Sequence, residues 1–456
     1  MEQCKAGFLV GAATAAHQVE GNNRYNDCWA MEQMKHTTYA EPSLDAVDHY
    51  HHFEEDIRLM KEAGLNAYRF SIEWARIEPE EGRFDAAETE HYRRVLQCCR
   101  ENGIEPVVTL HHFSSPVWLI RRGGWESEDT PVYFARYCRY LMEQLGSLMT
   151  VVCTINEANM GIQIAAIAKR YRMQAEAAAK KAAEAAQKAA AESGTAGAEQ
   201  KTGAAQNPAG DSSDGKVQLG MNLAKMMENR RAAAAENEQI FGTPAPQVFT
   251  SPRTPEGDRI IMKAHQAARA VIRELYPGIR VGLTLSLHDL QALEGGQETA
   301  DAEWEAEFLH YLPYIQDDDF LGVQNYTRSQ YGPGGLLPVP EGAETTQMQY
   351  EFYPEALGHV IRRVHESFHG ALYVTENGIA TADDERRIAF IRRALAGVQE
   401  CIADGIPVNG YFYWSLLDNF EWQKGFSMTF GLIAVDRTTQ TRMPKKSLAY
   451  LGSFCA

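Results

Sequence analysis

Short apolar runs of strand length alternate along the chain with longer segments in which apolar residues recur every three or four positions. Eight such runs are present, and each is bounded by segments of helical pattern or by turn residues. They are Phe8–Gln18, Asn66–Trp74, Glu105–Phe113, Val151–Ala158, Arg280–Leu287, Phe320–Thr327, Leu372–Ile379 and Val408–Leu417. Strand-length apolar runs that alternate with helices predict the buried strands of a parallel sheet.

The stretches between these runs carry helix signals. The clearest ones, with their boundary residues, are His49–Ala63 before Gly64, Asp85–Glu101 before Gly103, Val132–Leu145 after the cap Thr130-Pro131, and Asp258–Tyr276 before Pro277-Gly278. Parallel strands joined by helices need right-handed crossovers, and eight such units close into a barrel. We therefore predict an α/β fold, a single (β/α)₈ barrel that spans residues 1–456 as one domain.

One stretch interrupts this alternation. From residue 174 to residue 215 the composition collapses to Ala, Lys, Glu, Gln, Gly and Ser. Ala175–Glu192 has strong helix propensity, Ser193–Gly215 is predicted to be disordered, and helix is expected to resume near Leu219–Phe241. Because this insertion follows the fourth strand, it should emerge at the strand ends, either as a solvated lid or spacer or as an arm that covers a substrate or contacts a partner subunit.

Composition and charge exclude several classes of function. The chain has 456 residues, 45% of them apolar, and a net charge of −17, which argues against nucleic acid and anionic membranes as partners. The eight cysteines show no metal-type or disulfide-type spacing, so they predict reduced thiols and a cytoplasmic protein. Phe8–Ala16 is interpreted as the first barrel strand, not as a secretion signal. The sequence leaves the oligomeric state open.

Large polar or aromatic residues stand at the ends of seven of the eight predicted strands. They are Gln18, Arg69, His112, Glu157, Tyr326, Glu376 and Trp414, whereas the fifth run, which ends near Leu285–His288, offers little. In such barrels the functional groups come from the C-terminal ends of the strands. An ionised carboxylate at the end of a buried strand is costly unless the site uses it. Two glutamates presented in this way predict a pair of carboxyls in one pocket, the minimum equipment for breaking a glycosidic bond.

Six motifs in this order make the chain resemble family 1 of the glycoside hydrolases, the β-glucosidase-type barrel enzymes. They begin at Phe8-Leu9-Val10-Gly11 (running to Gly21), Tyr68-Arg69-Phe70-Ser71, Leu110-His111-His112-Phe113, Thr154-Ile155-Asn156-Glu157, Thr375-Glu376-Asn377-Gly378 and Trp414-Ser415-Leu416-Leu417 (running to Trp422). The resemblance lapses between about residues 168 and 250. It implies the barrel fold and a glycosidase that needs no metal and no organic cofactor.

The resemblance also implies a role for each matching residue. Glu376 would be the nucleophile, Glu157 the general acid and then the general base, and Arg69 and Tyr326 would hold and tune Glu376. Sugar contacts would come from Asn156 at the 2-hydroxyl, from Gln18, His112 and Glu421 at other hydroxyls, from Trp414 under the ring and from Trp422 in the pocket floor. One departure is Gln324, which stands where the family often has Asn, and we expect this change to be tolerated.

These features together predict a retaining β-glycosidase that hydrolyses β-D-glucosides, with β-galactosides or β-fucosides tolerated. Retention requires two carboxyls about 5–5.5 Å apart, one ionised and one protonated. The partner would be a small-molecule or oligosaccharide β-glycoside. Related phospho-sugar enzymes would want Ser and a Lys/Tyr pair where Glu421 and Trp422 stand, so unphosphorylated sugars are favoured. A transglycosylase, a 6-phospho-β-glycosidase and a catalytically silent carbohydrate-binding barrel remain as alternatives.

Overall fold

The computed structural model describes residues 7–192, 220–221 and 223–454. Its thirteen strands are β1 Leu9–Ala13, β2 Ala67–Ser71, β3 Glu105–Thr109, β4 Val151–Cys153, β5 Arg280–Ser286, β6 Asp289–Ala292, β7 Phe320–Gln324, β8 Arg328–Gly332, β9 Gly335–Leu336, β10 Ala371–Asn377, β11 Val408–Trp414, β12 Ile433–Asp436 and β13 Thr441–Pro444. Eight of them form a closed barrel in the order β1-β11-β10-β7-β5-β4-β3-β2, and all the pairings between neighbours are parallel. The predicted fold class is therefore confirmed.

Each of the eight predicted runs supplies one barrel strand, but most of the strands end earlier than the apolar runs do. The fourth run was expected to extend to Ala158, yet β4 stops at Cys153. The first run was expected to extend to Gln18, yet β1 stops at Ala13 and Gln18 lies in the short helix Ala16–Val19. An apolar run continues past the last ladder bond because the residues at the barrel mouth are also buried. The expected site residues of these two runs therefore lie beyond the strands, Gln18 on a short helix and Glu157 on a turn.

Within the described ranges, fifteen α-helices surround or cap the barrel. They are α1 Ala16–Val19, α2 Asp27–Glu32, α3 His49–Ala63, α4 Trp74–Ile77, α5 Ala86–Glu101, α6 Val117–Arg121, α7 Thr130–Leu145, α8 Met160–Glu192, α9 Leu223–Phe241, α10 Pro255–Leu275, α11 Gln297–Glu307, α12 Leu312–Ile315, α13 Ala356–His365, α14 Asp384–Ala403 and α15 Lys446–Gly452. Short 3₁₀ turns add Gly124–Glu126, Gly146–Leu148, Leu309–Tyr311 and Trp422–Lys424. Among the described helices, none has both the length and the apolar character to cross a bilayer.

The helix boundaries correct two details of the prediction. Helix α10 begins at Pro255, three residues before the predicted start, because Thr254 caps it by accepting the amide proton of Gly257 at 3.0 Å. Thr130 was expected to cap α7 but is its first helical residue, and its hydroxyl donates to the carbonyl of Gly124. Helix α3 has the predicted bounds, and Gly64 ends it in the left-handed conformation that favours glycine.

Two helices flank the low-complexity insertion. Helix α8 leaves the barrel directly after the fourth strand and continues to Glu192, so it contains the stretch Ala175–Glu192 that was predicted to be helical. Helix α9 returns the chain between Leu223 and Phe241. The segment Ser193–Gly215, predicted to be disordered, lies outside the described residues. Both helices emerge on the face of the barrel that carries the strand ends, because α8 starts beyond the C-terminal end of β4.

Candidate active site

The two predicted glutamates lie at the same mouth of the barrel. Glu376 is part of β10, whereas Glu157 stands on a turn four residues beyond β4, and each is 4% exposed. The backbone of Glu157 has a φ of 44°, a left-handed conformation that is strained for a residue with a side chain. Its amide is held by a hydrogen bond to the hydroxyl of Thr284, at 2.9 Å. The fifth strand therefore fixes the orientation of the fourth-strand glutamate.

Glu376 is held by two donors, one on each carboxylate oxygen. The Arg69 guanidinium donates to Oε1 at 2.6 Å, and the Tyr326 hydroxyl donates to Oε2 at 2.6 Å. Burial raises the pKa of Glu376 above its ordinary value, and the charge of Arg69 followed by the hydrogen bond from Tyr326 offsets part of that rise. Arg69 was predicted to tune Glu376, and it does lower the pKa of that carboxyl, but burial raises the pKa by more.

Glu157 has a different environment. Burial raises its pKa well above the ordinary value, and the negative charge of Glu376 raises it further, while Arg69 and the Ser286 hydroxyl lower it only in part. The effect of Glu376 means that the two carboxyls share one electrostatic environment. Of the two, Glu157 therefore keeps its proton to higher pH, and Glu376 is the one that ionises first.

Asn156 links the surroundings of the two glutamates. Its Oδ1 accepts from Arg69 at 2.5 Å, from Gln324 at 2.8 Å and from Thr284 at 3.2 Å. Its Nδ2 lies 3.2 Å from Nε2 of His112. Gln324, which stands where the family often has Asn, thus donates a hydrogen bond to Asn156. These contacts hold the side-chain amide of Asn156 in one orientation.

Aromatic rings form a layered wall beside this cluster. His112 stacks on Trp414 with a centroid separation of 5.7 Å and on Trp422 at 6.2 Å. Trp422 also stacks on His17 at 5.8 Å, and Phe113 meets Trp422 edge-on at 5.3 Å. Phe113 and Trp422 both have left-handed backbones, with φ of 67° and 46°. Burial lowers the pKa of His112 well below its ordinary value, so this ring is neutral.

The far end of the pocket contains a third buried glutamate. Gln18 donates to Oε2 of Glu421 at 3.3 Å and to the carbonyl of Phe420 at 2.9 Å, while the amide of Gly220 donates to Oε1 of Glu421 at 3.2 Å. Burial raises the pKa of Glu421 to about 8. Compared with Glu376, this carboxyl has only neutral donors in the described part of the chain.

Several buried polar atoms of the pocket have no hydrogen-bond partner among the described residues. Three of them belong to residues predicted to bind sugar or noted as a departure: Oε1 of Gln18, Nδ1 of His112 and Oε1 of Gln324. Unpaired buried polar atoms are uncommon because each costs free energy, and in a pocket they mark where a polar ligand is accepted. A ligand with several hydroxyl groups would satisfy them.

The structure brings all the predicted site residues into one connected cluster. These are Gln18, Arg69, His112, Asn156, Glu157, Tyr326, Glu376, Trp414, Glu421 and Trp422. The expectation that the fifth strand offers little was wrong, because Thr284 bonds both Asn156 and Glu157 and Ser286 affects the pKa of Glu157. The available signal was two hydroxyl residues at alternate positions of an apolar strand, which places both on one face. Gly220 was also missed, and nothing in its sequence neighbourhood indicates its place.

Comparison with known proteins gives a consistent picture. The sequence profile of the family described as "Glycosyl hydrolase family 1" matches residues 1–241 and 316–456. The lapse expected near residues 168–250 instead falls at 242–315. The chain is 29% identical to "1,4-beta-D-glucan glucohydrolase" of Thermotoga neapolitana, over 98% of this chain and 97% of that protein. It is 28% identical to "Bifunctional beta-D-glucosidase/beta-D-fucosidase" of Bifidobacterium breve, over 99% and 97%.

Solved structures agree with the sequence comparison. The crystal structure of the beta-glycosidase BGL167 superimposes with a TM-score of 0.82 and is 42% identical, over 99% of this chain and 97% of that one. The beta-glycosidase from Pyrococcus horikoshii gives a TM-score of 0.73 at 28% identity, over 99% and 95%. Both matches extend over nearly the whole of this chain and of the related chain.

Proposed function

The chain belongs to glycosyl hydrolase family 1, and from that premise we propose that it is a retaining β-glycosidase that releases single β-D-glucosyl residues from β-glucosides. The family makes the chain a glycoside hydrolase. The retaining mechanism, the sugar and the role of each residue are the proposal.

One observation carries the proposal: two buried glutamates share one electrostatic environment but have opposite surroundings. Glu376 receives a charged donor and a phenolic donor, which favour its ionised form. Burial and the charge of Glu376 favour the protonated form of Glu157. A base or nucleophile and an acid at one pH are what glycoside cleavage needs.

In the first step, a carboxylate oxygen of Glu376 attacks the anomeric carbon of the bound glycoside. The bond from that carbon to the glycosidic oxygen breaks, and its electron pair takes the proton of Glu157, so the aglycone leaves as a neutral alcohol. The sugar is then an ester of Glu376, and Glu157 is a carboxylate. Arg69 and Tyr326 hold the attacking group in place, which lowers the cost of orientation.

In the second step, the roles of the pair reverse. Esterified Glu376 has no charge, so the contribution that raised the pKa of Glu157 disappears and that pKa falls. Glu157 can then take a proton from water as the water oxygen attacks the anomeric carbon. The ester bond breaks, Glu376 returns as a carboxylate and Glu157 regains its proton. Two displacements at one carbon give net retention of configuration.

The walls of the pocket support a sugar as the ligand. Sugar rings have apolar C–H faces, and the buried rings of Trp414 and Trp422 offer flat surfaces for them. The unpaired atoms of Gln18, His112 and Gln324 can bond hydroxyls, and a site that makes such bonds rejects analogues that lack them. The 2-hydroxyl is assigned to Asn156, the residue next to the proposed acid.

The chemistry of Glu421 supports unphosphorylated glucosides as substrates. Below about pH 8 this group is protonated and offers no positive charge, and above it the carboxylate repels a phosphate. The names of two relatives, a glucan glucohydrolase and a glucosidase/fucosidase, support β-D-glucosides with β-D-fucosides tolerated. β-D-galactosides are included in the proposal as a further tolerated glycone. We also propose a cytoplasmic location, since the six described cysteines are all unpaired.

The proposal is tested with a panel of aryl β-glycosides and with a mechanism-based 2-fluoro-glucoside. We expect turnover of the aryl β-D-glucoside, a first-formed sugar with β configuration by NMR, and a covalent label on Glu376 by peptide mass spectrometry. A first-formed α-sugar would exclude the retaining mechanism. A label on another residue would show that the role of Glu376 is wrong, and a protein that cleaves no member of the panel would contradict the whole proposal.

A further inference from the structure

A segment from the fourth-strand excursion reaches the far end of the pocket. The amide of Gly220 donates to Oε1 of Glu421, and the carbonyl of Gly220 accepts the amide proton of Gln423 at 3.0 Å. Gly220 is therefore bonded both to the side chain of Glu421 and to the backbone of Gln423, two residues further along the chain. The segment therefore lies directly against a carboxyl that faces the sugar site.

The helix that follows is fastened to the rim of the pocket. We call Gly220, Met221 and helix α9 (Leu223–Phe241) together the strap. From α9, Lys225 donates to the carbonyl of Tyr39 at 2.9 Å, Asn229 donates to the carbonyl of Thr37 at 3.2 Å, and Glu236 bonds His36. The other end of α9 is fixed because Arg121 donates to the carbonyl of Ile240 at 2.8 Å. The strap thus has anchors along its whole helix.

The loop that anchors α9, residues 36–40, also contacts the pocket. Tyr39 stacks on Phe420, with ring planes 2° apart, and the amide of Ala40 donates to the carbonyl of Gln423 at 3.0 Å. The loop that holds α9 is therefore the same loop that supports the Phe420–Gln423 segment. A displacement of α9 would be felt at Glu421 by two routes, through Gly220 and through this loop.

Only glycine fits at position 220 in this arrangement. A Cβ atom there would lie 2.5 Å from the carbonyl oxygen of Glu421, 3.0 Å from its Cγ and 3.1 Å from its Oε1. The first of these contacts is with backbone, which cannot turn aside as the end of a flexible side chain can. Any larger residue must therefore push the strap and Glu421 apart.

We propose that Gly220 is a specificity-determining positioning residue of the glycone site: the strap seats its amide on Glu421 and thereby fixes the direction in which that carboxyl meets the sugar hydroxyls. This inference rests on the proposed function. Gly220 acts through Glu421 and takes no part in bond breaking. The strap, which follows the insertion in the chain, is on this account part of substrate selection.

The geometry indicates which hydroxyls are selected. Glu157 and Glu376 bracket the anomeric carbon, and Asn156 beside them takes the 2-hydroxyl. Glu421 instead bonds Gln18 and Gly220 of the strap, at the far end of the pocket, so it meets the opposite edge of the ring. In a glucoside that edge includes the exocyclic hydroxymethyl group, which a β-D-xyloside lacks.

The experiment compares 4-nitrophenyl β-D-glucoside with the corresponding xyloside in the wild type and in Gly220→Ala. We expect the variant to raise KM for the glucoside roughly tenfold, the size of one hydrogen bond to a charged or strongly polar group, with kcat within about threefold. The xyloside should change much less, so the ratio of kcat/KM values falls. The penalty for a 2-deoxy-glucoside, which reports on the anomeric end, should stay as in the wild type.

A second pair of variants guards against misfolding of Gly220→Ala. Asn229→Ala removes one strap anchor and should shift the glucoside/xyloside ratio in the same direction by a few-fold. Asn237→Ala is the matched control on the same helix, because the side-chain amide of Asn237 donates to the carbonyl of Pro244, just beyond the end of α9, instead of to the pocket rim. It should leave the ratio unchanged.

Each outcome decides between the two proposals. A lower glucoside/xyloside ratio in Gly220→Ala and Asn229→Ala, with Asn237→Ala unchanged, supports the inference. An active wild type whose ratio is the same in all three variants, or equal losses on both sugars, overturns the inference and leaves the proposed function intact. A wild type that cleaves neither glycoside overturns the proposed function and the inference with it.

Discussion

The two ends of the pocket are built in different ways. At the anomeric end, Glu376 belongs to β10, its partner Arg69 belongs to β2, and its partner Tyr326 stands two residues beyond β7; both bonds to Glu376 are 2.6 Å long. At the far end, Glu421 follows β11 on a loop, and its bonds to Gln18 and Gly220 are 3.3 and 3.2 Å long. The bonds that hold the proposed nucleophile are thus shorter, and they come from a barrel strand and from a residue close after another strand.

The two ends also treat a buried carboxyl differently. Burial raises the pKa of both Glu376 and Glu421, but Arg69 and Tyr326 act against it at Glu376, whereas the described donors to Glu421 are all amides and its pKa reaches about 8. A glutamate is thus the proposed nucleophile at one end of the pocket and a proposed hydrogen-bond partner of the sugar at the other. Because chemistry depends more steeply on charge and position than recognition does, substitutions at the anomeric end should cost more.

The largest effect is expected for Glu376→Ala. This change removes the attacking atom, so kcat for an aryl β-D-glucoside should fall by at least about 10⁴-fold. Because the lost side chain leaves room for a small anion, added azide should restore turnover and give a glycosyl azide of α configuration, identified by NMR. Activity within tenfold of the wild type, without azide, would contradict the role of Glu376.

The next effect is expected for Glu157→Gln, and it should depend on the leaving group. Without an acid, the departing oxygen must leave unprotonated, so natural disaccharides should lose about 10²–10⁴-fold in kcat/KM. A dinitrophenyl glucoside leaves readily without a proton, so its first step should be much less affected. The measurement is kcat/KM across a series of leaving groups, and equal losses on all of them would exclude Glu157 as the acid.

A smaller effect is expected for Tyr326→Phe. The hydroxyl of Tyr326 favours the ionised form of Glu376, so its loss should raise the pKa of that carboxyl and cost roughly tenfold to a hundredfold in kcat/KM. Activity requires ionised Glu376, so the acidic limb of the kcat/KM profile should move to higher pH. The alkaline limb, where Glu157 loses its proton, should move far less. An unchanged acidic limb would contradict the tuning role.

The smallest effect is expected at the far end, for Glu421→Gln. The change keeps the shape of the side chain but removes its ionisation, so above about pH 8 KM for the glucoside should be about tenfold higher than in the wild type while kcat changes little. In the wild type, ionisation of Glu421 near pH 8 gives a stronger acceptor, so KM should fall as pH rises through that value. KM of the variant should not show this change. A larger loss in kcat than in KM would remove the distinction between the two ends.

The sequence by itself determined the barrel and singled out the two glutamates of the proposed catalytic pair. Eight apolar runs separated by helical patterns fix the order of strands and helices, and Glu157 and Glu376 each stand close after such a run. These patterns are local, because each apolar run or helical repeat is set by residues that are close neighbours in the chain. The same locality explains the errors at the strand ends: an apolar run shows where the chain is buried and does not show where the ladder bonds stop, as at Cys153.

Only the tertiary structure decided which residues hold the two glutamates and which residues bond the far end of the pocket. Thr284 bonds Asn156 across 128 residues, and Gly220 bonds Glu421 across 201 residues. Such contacts depend on the register of the closed barrel and on the course of the chain after its fourth strand. Neither leaves a periodic mark in the sequence, since a hydrogen bond between distant residues requires only that two atoms meet after the whole chain has folded.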